Sequence, residues 1–274
     1  MFDLKQFVPV AMAVGVFLSG AAYAGAAEQG ERVVSLSFSD GRPDAVGLAA
    51  VNEHLGKVGV RISEVPGAKQ ALPILEASKS RALDEAEQKE LLSIFSLDRD
   101  GLLDEIRKAG RKPAVDGGGA LSISEKDVPP YPKIYDMKAL DSDTVTFLKK
   151  KFGRLHVNSA DSGHGIDEIM TIVSGGPYTW FFVLQDNAVA KVRFSAVEAG
   201  QPAWRISYPG LVPHGGYFDA EHGLVVAHAH GPATFVMRYE ALGIAGAETL
   251  DDNPWIDFSV DPPPLLEKAK STGN

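Results

Sequence analysis

IMTIVSGGPYTWFFVLQDNAVAKVRFSAVEAGQPAWRISYPGLVPHGGYFDAEHGLVVAHAHGPATFVMRY, residues 169–239, is the stretch that decides the fold. Residues 169–173, 178–184, 188–194, 203–208, 223–229 and 234–239 are rich in β-branched and aromatic side chains, and the turn sequences SGGP, QDN, EAGQP, GLVPHGG and HGP divide them. Six strands with short turns and no intervening helix predict an antiparallel β-meander, closed as a barrel or folded as a roll or sandwich. Trp180, Phe181, Phe182, Phe194, Trp204, Tyr208, Phe235 and Tyr239 supply aromatic bulk for its core.

Upstream the pattern changes. Residues 32–38 (RVVSLSF) alternate apolar and polar, residues 45–58 place apolar side chains at helical spacing, and residues 60–65 (VRISEV) are again strand-like. That β-α-β order predicts a small α/β unit with parallel strands. Residues 72–76, 84–95 and 102–109 predict helices, the last ended by Gly110. SLDRDG, residues 96–101, has the look of a calcium loop, but with Gly101 at the sixth position Arg107 falls where a bidentate carboxylate is required. It is read instead as a turn in which Asp98 or Asp100 caps the next helix. Residues 112–133, with three consecutive glycines and the closely spaced Pro129, Pro130 and Pro132, form the clearest linker. A capped helix over residues 144–152 then leads into the β region.

The expected organisation is therefore α+β: an α/β and helical region over 25–125, an antiparallel β domain with a leading helix over 126–245, and an extended tail over 246–274 packed on the outside. Residues 1–24 read as a Sec-type signal peptide, with an apolar run from Phe7 to Leu18 and an Ala22-Tyr23-Ala24 cleavage pattern. The apolar run is shorter than the roughly 20 residues of a membrane span. The chain has no cysteine, so its stability comes from burial, without disulfides. A periplasmic or secreted protein is expected. With a formal net charge of −9 and no basic stripe, no nucleic-acid partner is expected.

Histidine placement is the one compositional signal that points at chemistry. Six of the seven lie between residues 156 and 230, leaving only His54 outside. His228 and His230, at i and i+2 of a strand, share one face and are the sharpest candidate metal ligands. They need a partner, and His164 and Glu168 on the first strand of the β domain are the favoured ones. SGHGIDEIMTIVSG, residues 162–175, resembles half of the first cupin motif: His164, Glu168 and Gly175 match its second histidine, glutamate and glycine, and Ser162 replaces the first histidine. That resemblance implies a small metal-binding barrel with His164 and Glu168 as ligands. The second cupin motif is met only at Pro213 and Gly215, with Phe218 where its histidine belongs.

No cysteine nucleophile and no Gly-x-Ser-x-Gly elbow occurs, so nucleophilic hydrolase chemistry is not indicated. The expectation is an exported small-molecule-binding β domain with a histidine-lined pocket. His164, Glu168, His228 and His230 would hold a divalent metal (zinc, iron or manganese), His214 or His222 would act as acid or base, and Trp180, Trp204 and Tyr208 would line the pocket. The alternative is a non-catalytic envelope accessory protein that binds a protein partner. Neither substrate nor reaction follows from the sequence.

Overall fold

Alternating and fully apolar runs are realised as strands in the computed structural model, which describes residues 32–113, 131–232, 234–240, 243 and 250–270. The expected signal peptide lies outside the described residues, as does most of the glycine- and proline-rich linker. In chain order the first elements are β1 (Val34–Phe38), β2 (Ala45–Val46), α1 (Leu48–Leu55), β3 (Arg61–Val65), α2 (Leu72–Ala77), α3 (Glu85–Phe95) and α4 (Arg99–Lys108). They are followed by β4 (Lys133–Asp136), α5 (Ser142–Gly153), β5 (Val157–Ser159), β6 (Asp167–Gly175), β7 (Tyr178–Val183) and β8 (Val189–Phe194). Last come β9 (Ala203–Tyr208), β10 (His214–Phe218), β11 (Gly223–His230) and β12 (Val236–Arg238).

The strands make two five-stranded antiparallel sheets, ordered β10-β7-β8-β1-β2 and β3-β9-β6-β11-β4, plus a small β12-β5 pair. The α+β class is thus observed, in a sandwich or roll. After the β7-β8 hairpin the chain changes sheet at each step, because β9 and β11 join the second sheet while β10 joins the first. A single core lies between the sheets. Leu36, Trp180, Phe182, Val192 and Phe194 of the first sheet pack with Ile62, Met170, Ile172, Trp204 and Ile206 of the second.

Both sheets are also covered on their outer faces. Ile74, Leu75, Leu91 and Phe95, from α2 and α3, pack on Val173, Leu224 and Val226, and α4 sets Leu102 and Ile106 on Ile169. On the other side, the tail places Trp255 and Ile256 against Phe181, Val183 and Tyr217. This double cover is why β6 and β7 are buried at every position and read as near-continuous apolar runs.

Two expectations for the N-terminal stretch change. No parallel β-α-β unit forms: β1 pairs antiparallel with β8 in one sheet and β3 antiparallel with β9 in the other. The reason is that α1 buries Val51 and Leu55 in the core between the sheets, so the chain rounds that edge and does not return to its starting sheet. Residues 32–65 therefore supply strands to the same sheets as residues 167–230, and the boundary expected near residue 125 does not separate two sets of strands. The local signals hold well: Asp84 and Glu87 form a capping box on α3, and Asp98 caps α4 by accepting the Gly101 N–H at 2.8 Å. Among the described residues no helix is long and apolar enough to cross a membrane.

Trp255 anchors the tail, with its indole N–H donating to the Val189 carbonyl at 3.0 Å. Trp255→Ala should cost about 3–5 kcal/mol of unfolding free energy, the usual range for a buried tryptophan, measured by urea denaturation. A loss below about 1 kcal/mol would mean that the tail does not cover the sheet.

Candidate functional site

Directly paired residues on adjacent strands share a face, and this rule assembles the site. Glu168 pairs with Tyr208, and His214 and Gly216 pair with Phe182 and Trp180. All point between the sheets, and at one end of the sandwich Glu168, Tyr208, His214, Gly216 and Trp180 border a cavity of about 270 Å³. Tyr131, Tyr135, Phe152, Phe218, Phe235 and Tyr239 add further aromatic wall, and Lys133 and Lys151 also line it. Gly215 allows α5 to close the outside of β10: a Cβ there would lie 3.0 Å from the Phe152 carbonyl oxygen. The neighbouring Gly216 faces the cavity.

Three buried ionisable side chains meet in the cavity wall. The His156 and His214 rings lie 4.6 Å apart, brought together by the backbone bridge between these two residues. Each ring donates Nδ1–H to the carbonyl two residues earlier, Arg154 for His156 and Val212 for His214, both at 2.8 Å. Nε2 is then the atom each offers to chemistry. His214 Nε2 is 3.3 Å from Glu168 Oε2, and the Asn158 side-chain amide donates to that oxygen at 2.8 Å while lying 3.1 Å from His214 Nε2.

Electrostatics follow from burial. Desolvation, then the neighbouring His214 and the charge of Lys151, hold the His156 pKa well below the ordinary imidazole value, so it is a neutral base near pH 7. Tyr208 is pushed well above the usual phenol range by burial first, then by the charge of Glu168 and a hydrogen bond with it. No lysine or arginine forms an ion pair with Glu168 among the described residues; its polar partners are His214, Asn158 and Tyr208.

Of the residues expected from sequence, Glu168, His214, Trp180 and Tyr208 converge on the cavity. The other expected residues do not. His228 pairs with Ile169, and His230 with Asp167, so both histidines share a face as expected, but it is the outer face, opposite Glu168. There the His228 Nε2 accepts the Leu97 backbone N–H at 2.9 Å, docking the α3-α4 turn on the sheet. His164 is exposed, beside the Ser162 hydroxyl at 3.0 Å. His222 sits in the β10-β11 turn, and Trp204 packs in the core beneath the Arg32 guanidinium, 4.0 Å from its ring centre. The proposed four-ligand metal set is therefore not assembled, because Glu168 registers with Ala229, which turns both histidines to the opposite face, and His164 lies outside the strands. His156, Asn158, Tyr131 and Tyr135 were missed, although His156 belonged to the same crowd of histidines.

A metal in this cavity would draw on the donors that do converge. Two imidazoles with tethered Nδ1 atoms and a carboxylate are suitable ligand types. Their disposition does not fit, since no group of three or more His, Asp or Glu among the described residues surrounds a common point. Asn158 also directs an amide N–H at the oxygen and nitrogen that a cation would take.

Outer-face His228 has its own consequence. Burial first, then the charge of Arg205, lowers its pKa from 6.5 to about 4. The unfolded chain binds this proton at higher pH than the folded one, so stability is full above about pH 6.5 and falls as pH drops towards 4. His228→Gln keeps an acceptor for Leu97 without the titration and should flatten that fall by roughly 1–3 kcal/mol, measured by urea denaturation at pH 7 and pH 4.5. An unchanged pH slope would show that His228 titrates normally.

No family model matches the sequence, and no curated protein matches it significantly. Among solved structures the chain is similar to the acireductone dioxygenase of Bacillus anthracis, solved with a cadmium ion in its active centre. The sequence identity is 17%, the TM-score is 0.47, and the match covers 75% of this chain and 98% of that one. A likeness of that degree says nothing about ligand or reaction, so the site's chemistry rests on its own residues.

Proposed function

We propose that this protein binds a small organic molecule in the cavity between its sheets, with His156, His214 and Glu168 as the groups that handle it. One observation carries the reading: three buried ionisable side chains from separate stretches converge on an aromatic-walled cavity. Burying a carboxylate with no lysine or arginine in ion-pair range among the described residues costs stability, and such costs concentrate at functional sites. The available chemistry is proton exchange, with neutral His156 as base and the His214–Glu168 pair as a second acid–base centre. The competing accessory-protein reading has less support. The exposed large apolar residues among those described, Val46, Phe147, Leu211 and Val260, come from four separate segments.

The two adjacent glycines test this. A Cβ on Gly216 would make only ordinary contacts, 3.6 Å from Phe218 and 3.7 Å from Trp180, and a larger side chain there would grow into the cavity. Gly216→Val should leave unfolding free energy within about 1 kcal/mol yet abolish binding of any compound that shifts the His156 and His214 ring resonances. Gly215→Ala should instead lose about 1–3 kcal/mol, because α5 must move. Screening a chemically mixed small-molecule library by NMR, on the unmutated protein and on Gly216→Val, supplies the readout. Hits that bind both equally would place the ligand site elsewhere.

Export remains part of the proposal and rests on the sequence of residues 1–24. Mass spectrometry of the protein from a periplasmic extract should find a mature chain starting at Gly25, and an intact Met1 start there would overturn it.

A further inference from the structure

The cavity's polar groups are unevenly placed, and their placement restricts the ligand. Glu168 and His156 offer acceptors: a carboxylate has up to four lone-pair positions, and His156 keeps its Nε2 lone pair because Nδ1–H is spent on Arg154. A ligand that binds here supplies O–H or N–H donors. Lys151 lies within electrostatic range of His156 and lines the same cavity. Its ammonium lies over the Phe147 and Phe152 rings, with no carboxylate in ion-pair range among the described residues. An anionic group on the ligand would find its partner there. Much of the remaining wall is aromatic, and Met170 and Met237 also face the cavity. Such a wall suits a flat ring and would leave many hydroxyls of a polyol unmatched. At about 270 Å³ the cavity falls just below the range of drug-sized ligand sites, which points to a single ring with its substituents.

We propose that the ligand is a hydroxylated aromatic carboxylate of one ring, its hydroxyl donating to Glu168 or His156 and its carboxylate held by Lys151. This inference rests on the cavity being the ligand site. The test uses 2-, 3- and 4-hydroxybenzoate, benzoate, and the three hydroxybenzyl alcohols, with affinities from NMR titration of the full chain.

At least one hydroxybenzoate should bind about tenfold more tightly than benzoate, and about tenfold more tightly than its own alcohol. Glu168→Gln should shrink the first ratio and leave the second, whereas Lys151→Met should do the reverse. Binding that is equal across the panel, or absent for every hydroxybenzoate, overturns the proposed ligand class. Gly216→Val separates the two levels of argument. If it removes binding of a probe that shows no hydroxyl or carboxylate preference, the cavity is the site and only the ligand class is wrong. If probes bind Gly216→Val unchanged, the cavity is not their site and both readings fall.

Discussion

Register on β6 is the constraint on which the rest of the molecule depends. Side chains alternate along a strand, so the pairing of Glu168 with Tyr208 on one side and Ala229 on the other assigns each neighbouring residue to a face. Glu168 enters the space between the sheets. Asp167 and Ile169, with His230 and His228 opposite them, are committed to the outer face, where Asp167 lies 3.5 Å from the Arg111 guanidinium. A one-residue slip would exchange these sets. It would bury Arg111's partner in the cavity and send Glu168 under the helices, away from His214, Asn158 and Tyr208.

Covering both faces of both sheets makes that register hard to change. An antiparallel sheet with one wet face is pinned only by its apolar side. Here α2, α3 and α4 cover one sheet and the tail around Trp255 covers the other. The central strands β6 and β7 are therefore fixed from two directions, which lets a cavity persist at the end of the sandwich without the core closing over it. Glycine at residue 215 admits α5 on the outside of β10, and glycine at residue 216 leaves room within.

Local signals made much of this legible. The strand at residues 203–208 was read with its observed limits, Asp98 was one of the two caps read from residue type and spacing, and the shared face of His228 and His230 is a matter of period alone. What was missed is non-local or short. β10, with sequence HGGYF, reads as a turn because its glycines suppress any alternation, and it becomes a strand by pairing with β7. β5 has three residues and β4 four, too few for a period to emerge. The face that a strand shows to the pocket depends on which sheet it joins, and sheet membership here alternates along the chain in a way that turn lengths do not reveal.

The two pairs of histidines show why sequence adjacency was a poor guide to chemistry. His228 gives its Nε2 to the Leu97 amide, so the nitrogen that would serve a ligand is already occupied in holding a helix turn. His156 and His214 solve a different problem. Each is tethered through Nδ1 to a carbonyl only two residues back, a local device that fixes tautomer and ring plane without using Nε2. A histidine tethered within its own segment keeps a basic atom available, whereas one tethered through Nε2 to a distant backbone amide has spent it. By that criterion the candidate site belongs to two histidines far apart in sequence, and the His-x-His pair belongs to the scaffold.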